Sequence, residues 1–150
     1  MTDPTIRKAT LEDVPQIVAC IDAAYAPYIK TIANLPPVSE SIDLDVVDNL
    51  VWVVEDDGAI AGVVVCVEQT QPRAMKLANL AVHPSQGGKG LGGKLIRHAE
   101  QSARKLGYVE MQLNTHKDMT DTQRLYFRLG WQELARDGAT VTMKKSLFSD

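Results

Sequence analysis

Five of the chain's ten glycines fall within seven residues, in the run His83-Pro84-Ser85-Gln86-Gly87-Gly88-Lys89-Gly90-Leu91-Gly92-Gly93-Lys94. Glycine weakens a helix start unless its missing Cβ or its access to positive φ is needed. This run follows the apolar Leu80-Ala81-Val82 and leads into Leu91, Leu95, Ala99, Ala103 and Leu106, an apolar stripe at helical spacing. A glycine loop between a buried strand and an amphipathic helix suits close approach to an anion. Backbone N–H groups can reach it, and the helix N-terminus adds unpaired donors and partial positive charge.

Three phosphate-binding patterns compete for the loop. Gly88-x-Gly90-x-x-Gly93 fits the dinucleotide fingerprint, and Gly88-x-x-x-x-Gly93-Lys94 fits most of a P-loop, with Leu95 where Ser or Thr should hold magnesium. Against both, His83 to Gln86 intervene after the strand, Glu110 sits inside the next strand, and the upstream strands read as an antiparallel meander.

The rest of the chain gives the frame. Thr5 to Ala9 is a short strand. Asp13 is placed to cap a helix with Pro15 in its first turn and Val14, Ile17, Val18 and Ile21 on its apolar face. Ala26 to Ser41, with Pro27, Pro36 and Pro37, reads as loop, followed by a short helix from Ser41 to Asn49. Leu50 to Glu55 and Ile60 to Glu68 form a hairpin about Asp57-Gly58, and Val63 to Val67 is apolar at every position. Such a strand is covered on both faces, so helices are expected on both sides of the sheet. Leu77 to Val82 is a strand, Gly90 to Leu106 the glycine-led helix, and Tyr108 to Asn114 an alternating strand. Thr120-x-x-Gln123 fits a capping box opening a helix with Leu125 and Leu129. Two strands joined by Asp137-Gly138 close the chain. The expected class is a mixed α/β domain with a mostly antiparallel central sheet, helices on both faces and one βαβ crossover carrying the glycine loop. Residues 1–150 are expected to form one domain.

Net charge is -3 with Lys and Arg dispersed, which argues against nucleic acid as partner. No apolar stretch approaches the roughly 20 residues of a membrane span, and Met1 to Lys8 has no apolar signal core. Cys20 and Cys66 lie in apolar runs and are expected as buried free thiols, consistent with a cytoplasmic protein. His83, His98 and His116 lack metal-ligand spacing with either cysteine, so no metal is expected.

The chain resembles the GNAT superfamily of N-acetyltransferases. Leu80-Ala81-Val82 followed by Gly87-x-x-Gly90-x-Gly92 is similar to its cofactor signature, and Leu125-Tyr126-Phe127-Arg128-Leu129-Gly130-Trp131 to its later aromatic-ended helix. The matching stretch runs from about Leu50 to Lys145. In two places the pattern departs: Gly87 stands where Gln or Arg is usual, with Gln86 one residue earlier, and Thr122 where Asn is common. The resemblance implies acetyl-CoA as acyl donor and direct attack of a primary amine on the thioester. It implies backbone contacts from Leu80, Ala81 and Val82 to the pantetheine arm, and pyrophosphate binding by Gly87, Gly88, Lys89, Gly90, Leu91 and Gly92, with Thr122 close by. Tyr126 would lie near the thioester sulfur and help the leaving thiolate. For the base, Glu68 at a strand end, His116 and a water relay stay open. Tyr25 and Tyr28 are expected to line the acceptor pocket; Lys89, Lys94 and Arg97 are placed to help neutralise phosphate, although a solvated helix face is the commoner reason for such charges. The acceptor is a small-molecule amine or a protein amino group, and proteins of this kind commonly pair as homodimers. A non-catalytic CoA-binding or sensing module and a nucleotide-binding module are the alternative functions.

Overall fold

The computed structural model describes residues 5–32, 39–69 and 74–148. Seven strands form one sheet: β1 (Thr5–Lys8), β2 (Leu50–Asp56), β3 (Ala59–Val67), β4 (Ala74–Val82), β5 (Glu110–His116), β6 (Gln132–Asp137) and β7 (Thr140–Ser146). Four helices join them: α1 (Val14–Thr31), α2 (Ile42–Asp48), α3 (Leu91–Lys105) and α4 (Thr120–Arg128). The strand order is β1-β2-β3-β4-β5-β7-β6. Every pairing is antiparallel except β4 with β5, which the α3 crossover connects. This is the mixed, mostly antiparallel architecture expected.

Two apolar layers flank the sheet, because β3 is buried on both faces. Val64, Cys66, Met75, Leu95 and Ile96 belong to the layer under α3 and α4. Val63, Val65, Ile17, Ile21 and Ile42 belong to the layer under α1 and α2. Cys20 and Cys66 are buried free thiols, and burial pushes their pKa up to about 11 and about 12. Asp57 and Gly58 both take positive φ (54° and 81°), the geometry of a tight type I′ hairpin.

Three local expectations are corrected. The loop expected from Ala26 is helix as far as Thr31: α1 carries Pro27 inside it, and only residues 33–38 of that segment lie outside the described residues. Packing of Ile17, Cys20, Ile21 and Tyr25 against the sheet holds the helix through the proline, overriding the local breaker. The Thr120/Gln123 capping box does not form. Met119 holds the cap position, and the Gln123 amide donates instead to the carbonyls of His116 (3.0 Å) and Lys117 (3.1 Å), tying α4 to the end of β5. Asp13 sits at the N-cap of α1 but makes no side-chain cap bond there.

The Asp13 carboxylate faces the other way. It accepts from the Thr10 N–H at 2.7 Å and from both terminal nitrogens of Arg7 at 2.8 and 2.9 Å, and Arg7 also donates to Glu55. The Arg7 guanidinium holds the Asp13 carboxyl down at about 2. A depressed folded-state pKa gives stability that is complete above the unfolded carboxyl value of about 4 and is lost as the pH falls through the folded one. Urea melts of the wild type should therefore lose stability between about pH 4 and 2, and Asp13→Asn should be less stable at neutral pH with a flatter profile across that window.

Candidate active site

The site is built where β4 and β5 part. They pair only from Ala74↔Glu110 to Lys76↔Gln112, and then diverge. A register shift against β3 falls between Asn79 and Leu77, so Ala78 is an extra residue that bends β4 at the point of divergence. The edge of β4 from Leu77 to Val82 is thus released from its β5 neighbour, while β3 holds its other edge. An unpaired strand edge offers N–H and C=O groups to an extended ligand.

Two adjoining cavities fill the wedge. One, of about 180 Å³, is lined by Tyr25, Tyr28, Leu80, Val82, Gly92 and Thr122 among others. The second lies between Asn79, Leu80, Asn114, Thr115, Thr122 and Tyr126. Leu80, Ala81, Val82, Gly92, Tyr25, Tyr28, Thr122 and Tyr126 therefore come together around one cleft. Tyr25 and Tyr28 reach it because α1 continues through Pro27; their rings are 6.3 Å apart, and the Tyr25 hydroxyl donates to Asn79 Oδ1 at 3.4 Å.

The glycine loop forms the cleft's upper end. Gly90 is the N-cap of α3 with φ 74°, and Gly88 has φ 81°. At neither position would a Cβ meet another atom within 4 Å, so glycine is required there by backbone conformation rather than by packing. The first bond of the helix runs from Lys94 N–H to Gly90 O at 3.1 Å. Among the described residues the N–H groups of Gly88, Lys89 and Gly90 find no backbone acceptor. Gly92 is set by contact instead: a Cβ there would lie 3.3 Å from Leu125 and 3.8 Å from Val82. The Lys89 ammonium turns to Asp56 (3.0 Å) and Gln86 (2.6 Å), pinning the loop to the β2–β3 hairpin. What Lys89 and Gln86 offer a phosphate in this arrangement is backbone.

Tyr126 is buried at 2% exposure, with its ring edge-on to Trp131 at 5.2 Å. Burial, with Tyr25 and Cys66 nearby, raises its phenol pKa well above the ordinary value. Its hydroxyl bonds to no described residue, and the side chain lines the second cavity. Glu68 is outside the cleft: exposed at the far end of β3, its carboxylate accepts from the Tyr108 hydroxyl at 3.0 Å. His116 turns toward its own loop, accepting the Asp118 N–H at 3.0 Å. Asn79, Asn114, Thr115 and Met119 are cleft residues that the sequence did not single out, since a bulge and a strand divergence leave no local signature. No group of three His, Cys, Asp or Glu among the described residues is placed to hold a metal ion. No helix among them is long and apolar enough to cross a membrane.

A seven-stranded sheet split at a parallel pair, with a glycine-led helix N-terminus at the mouth of the split, defines an acyltransferase scaffold. Residues 19–131 match the acetyltransferase (GNAT) family, and the chain belongs to that family. It is an N-acetyltransferase, moving an acetyl group from acetyl-CoA to an amine. The chain is 27% identical to the S-(2-succino)cysteine N-acetyltransferase of Bacillus subtilis, with 98% of each chain covered. Among solved structures it is similar to the PaiA N-acetyltransferase of Thermoplasma acidophilum in complex with coenzyme A (TM-score 0.84, 21% identity, 97% and 99% covered). It is also similar to the ribosomal-protein-S18-alanine N-acetyltransferase of Escherichia coli (TM-score 0.73, 19% identity, 99% and 96% covered).

Proposed function

We propose that residues 1–150 act as one catalytic domain in which the backbone of Gly87 to Gly92 binds the cofactor pyrophosphate, the open edge of Leu80 to Val82 holds the pantetheine arm, and Tyr126 attends the thioester sulfur. The observation that carries this reading is the divergence of β4 from β5 after Lys76, which leaves a strand edge leading from the glycine loop to Tyr126. The Thermoplasma structure, described as a coenzyme A complex, has the same fold.

The reaction needs little else from the chain. The amine nitrogen bonds to the thioester carbonyl carbon, N–H donors on the β4 edge stabilise the oxyanion, and the C–S bond then breaks to leave a thiolate. Tyr126 donates a hydrogen bond to that thiolate. Its raised pKa keeps it a phenol throughout, so the proton that finally neutralises the thiolate is the one the amine gives up. No carboxylate or histidine is among the described residues lining the two cavities. The amine therefore reaches the thioester already neutral, its ammonium proton lost to water, the proton it sheds after attack ends on the thiolate, and Glu68 has no part in the step.

Thermal denaturation with acetyl-CoA, CoA, ATP and NAD side by side tests the cofactor site. Ligand at about 100 times its dissociation constant should add roughly 2.7 kcal/mol, a rise of roughly 5–10 °C at this chain length. A rise with acetyl-CoA and CoA alone is expected; a rise only with ATP or NAD would overturn the assignment of the loop. The first acceptor to assay is S-(2-succino)cysteine, which gives the Bacillus relative its name.

A further inference from the structure

Beyond the cleft, the sheet presents a second face to the same reaction centre. Lys76, Gln112, Lys144 and Gln132 stand in one cross-strand row over β4, β5, β7 and β6. Their neighbours along the strands Met75, Leu77, Met111, Leu113 and Met143 point into the layer under α3 and α4. Side chains alternate along a strand, so the lysine row lies on the opposite face. On that face α1 packs on β3 and β4, and α2 packs on β2.

Here Gln69, Lys76, Gln112, Leu113 and Asn114 line an open, polar cavity. Leu113 and Asn114 also line the cavity that holds Tyr126, so the two spaces adjoin. Lys76 and Lys144 are half-buried, and neither ammonium forms an ion pair or hydrogen bond with a described residue. With strands about 4.8 Å apart, the two charges flank Gln112 at a backbone separation of about 10 Å. Glu110 shares the face and keeps its charge, its carboxylate accepting from the Gln112 amide, and Glu68 accepts from Tyr108; neither forms an ion pair with Lys76 or Lys144. A part-buried cation gains most from an anionic partner when its neighbours leave it uncompensated.

Resting on the acetyltransferase reading, we infer that the acceptor is an α-amino acid whose side chain carries a further carboxylate, and that Lys76, supported by Lys144, is the specificity-determining anchor for that carboxylate. Lys76 precedes Asn79 by three residues, about 10 Å along β4. The Lys76 stem can lean along the strand, so that the lysine and an acceptor of glutamate length or slightly more together span the gap, the amine at the thioester and the distal carboxylate at the ammonium. Gln69 supplies an amide donor at the cavity, and Gln112 has one N–H left beyond the one it gives Glu110.

The test is steady-state acetylation of glutamate, 2-aminoadipate, glutamine and spermidine at saturating acetyl-CoA, with the wild type, Lys76→Met and Lys76→Glu. The CoA-induced thermal shift of each variant reports separately on the cofactor site and on folding. Expected for the wild type is a kcat/KM for the dicarboxylic amines roughly 10- to 100-fold above that for glutamine. Lys76→Met should erase the difference through KM with kcat little changed, and Lys76→Glu should reverse the order toward spermidine, the CoA shift persisting in both. A wild type that acetylates none of the carboxylate-bearing amines, or that favours glutamine or spermidine, overturns the inference, as does an unaltered KM in Lys76→Met. Loss of the CoA shift in the wild type would instead mark failure of the underlying reading.

Discussion

Replacing Tyr126 by Phe, which removes one preorganised hydrogen-bond donor to the developing thiolate, is expected to lower kcat roughly 10- to 1000-fold while leaving the fold and CoA binding intact. The hydroxyl has no partner among the described residues, so its removal orphans no buried group and the ring keeps its edge contact with Trp131. The loss should therefore appear in turnover and not in Tm. The pH dependence separates this role from that of a titrating acid. Because burial raises the Tyr126 phenol above its ordinary range, it remains protonated through neutral and mildly alkaline pH. The wild-type profile should show no falling tyrosine limb, and kcat/KM should climb toward the pKa of the acceptor's own amine. Unchanged turnover in the Phe variant, with an unchanged thermal midpoint, would remove Tyr126 from the mechanism.

Lys145→Met is expected to destabilise the protein by about 3–5 kcal/mol, which at this size is a fall in Tm of roughly 10 °C. Lys145 Nζ reaches Glu100 Oε1 at 2.9 Å and the Leu129 carbonyl at 2.6 Å, closing the turn after α4 against α3. The Glu100 carboxylate is 4% exposed, and its other bond comes from the Trp131 indole N–H at 3.1 Å. Removing the ammonium leaves a buried carboxylate with one neutral donor, which is costlier than having no pair at all. The double variant Lys145→Met/Glu100→Leu should recover much of the loss. If the single variant melts within about 2 °C of the wild type, the ion pair is exposed in solution and contributes as little as a surface pair does. The network also bears on the site, because Trp131 is the ring against which Tyr126 is set.

The strand and helix frame was legible because each element announces itself over a short window. The alternation of Val109, Met111 and Leu113, the unbroken run Val63 to Val67, and the Asp57-Gly58 turn each carry a local pattern with one physical meaning. The glycine loop was legible for the same reason: positive φ at Gly88 and Gly90 is a demand on individual residues. Local rules failed where distant packing outweighed them. Pro27 did not end α1, since the apolar face laid on the sheet keeps the last turn in place. Thr120 did not cap α4, since Gln123 found better acceptors on the neighbouring strand end.

The cleft itself belongs to the second kind. Amino-acid order placed Leu80 to Val82 on a strand and Tyr126 on a helix, but the space between them exists because β4 bulges at Ala78 and parts from β5 after Lys76. Glu68 shows the same division: at the end of an apolar strand it reads as a cleft carboxylate, but its side chain turns to Tyr108 and lines neither cavity of the cleft. Lys76 and Lys144 lie 68 positions apart and become row neighbours across Gln112 only through pairing. The sequence by itself determined the elements, the glycine loop and the family resemblance, all set by interactions within a few residues. Which side chains share a cavity was decided by strand register and divergence, long-range properties that no short window of residues contains.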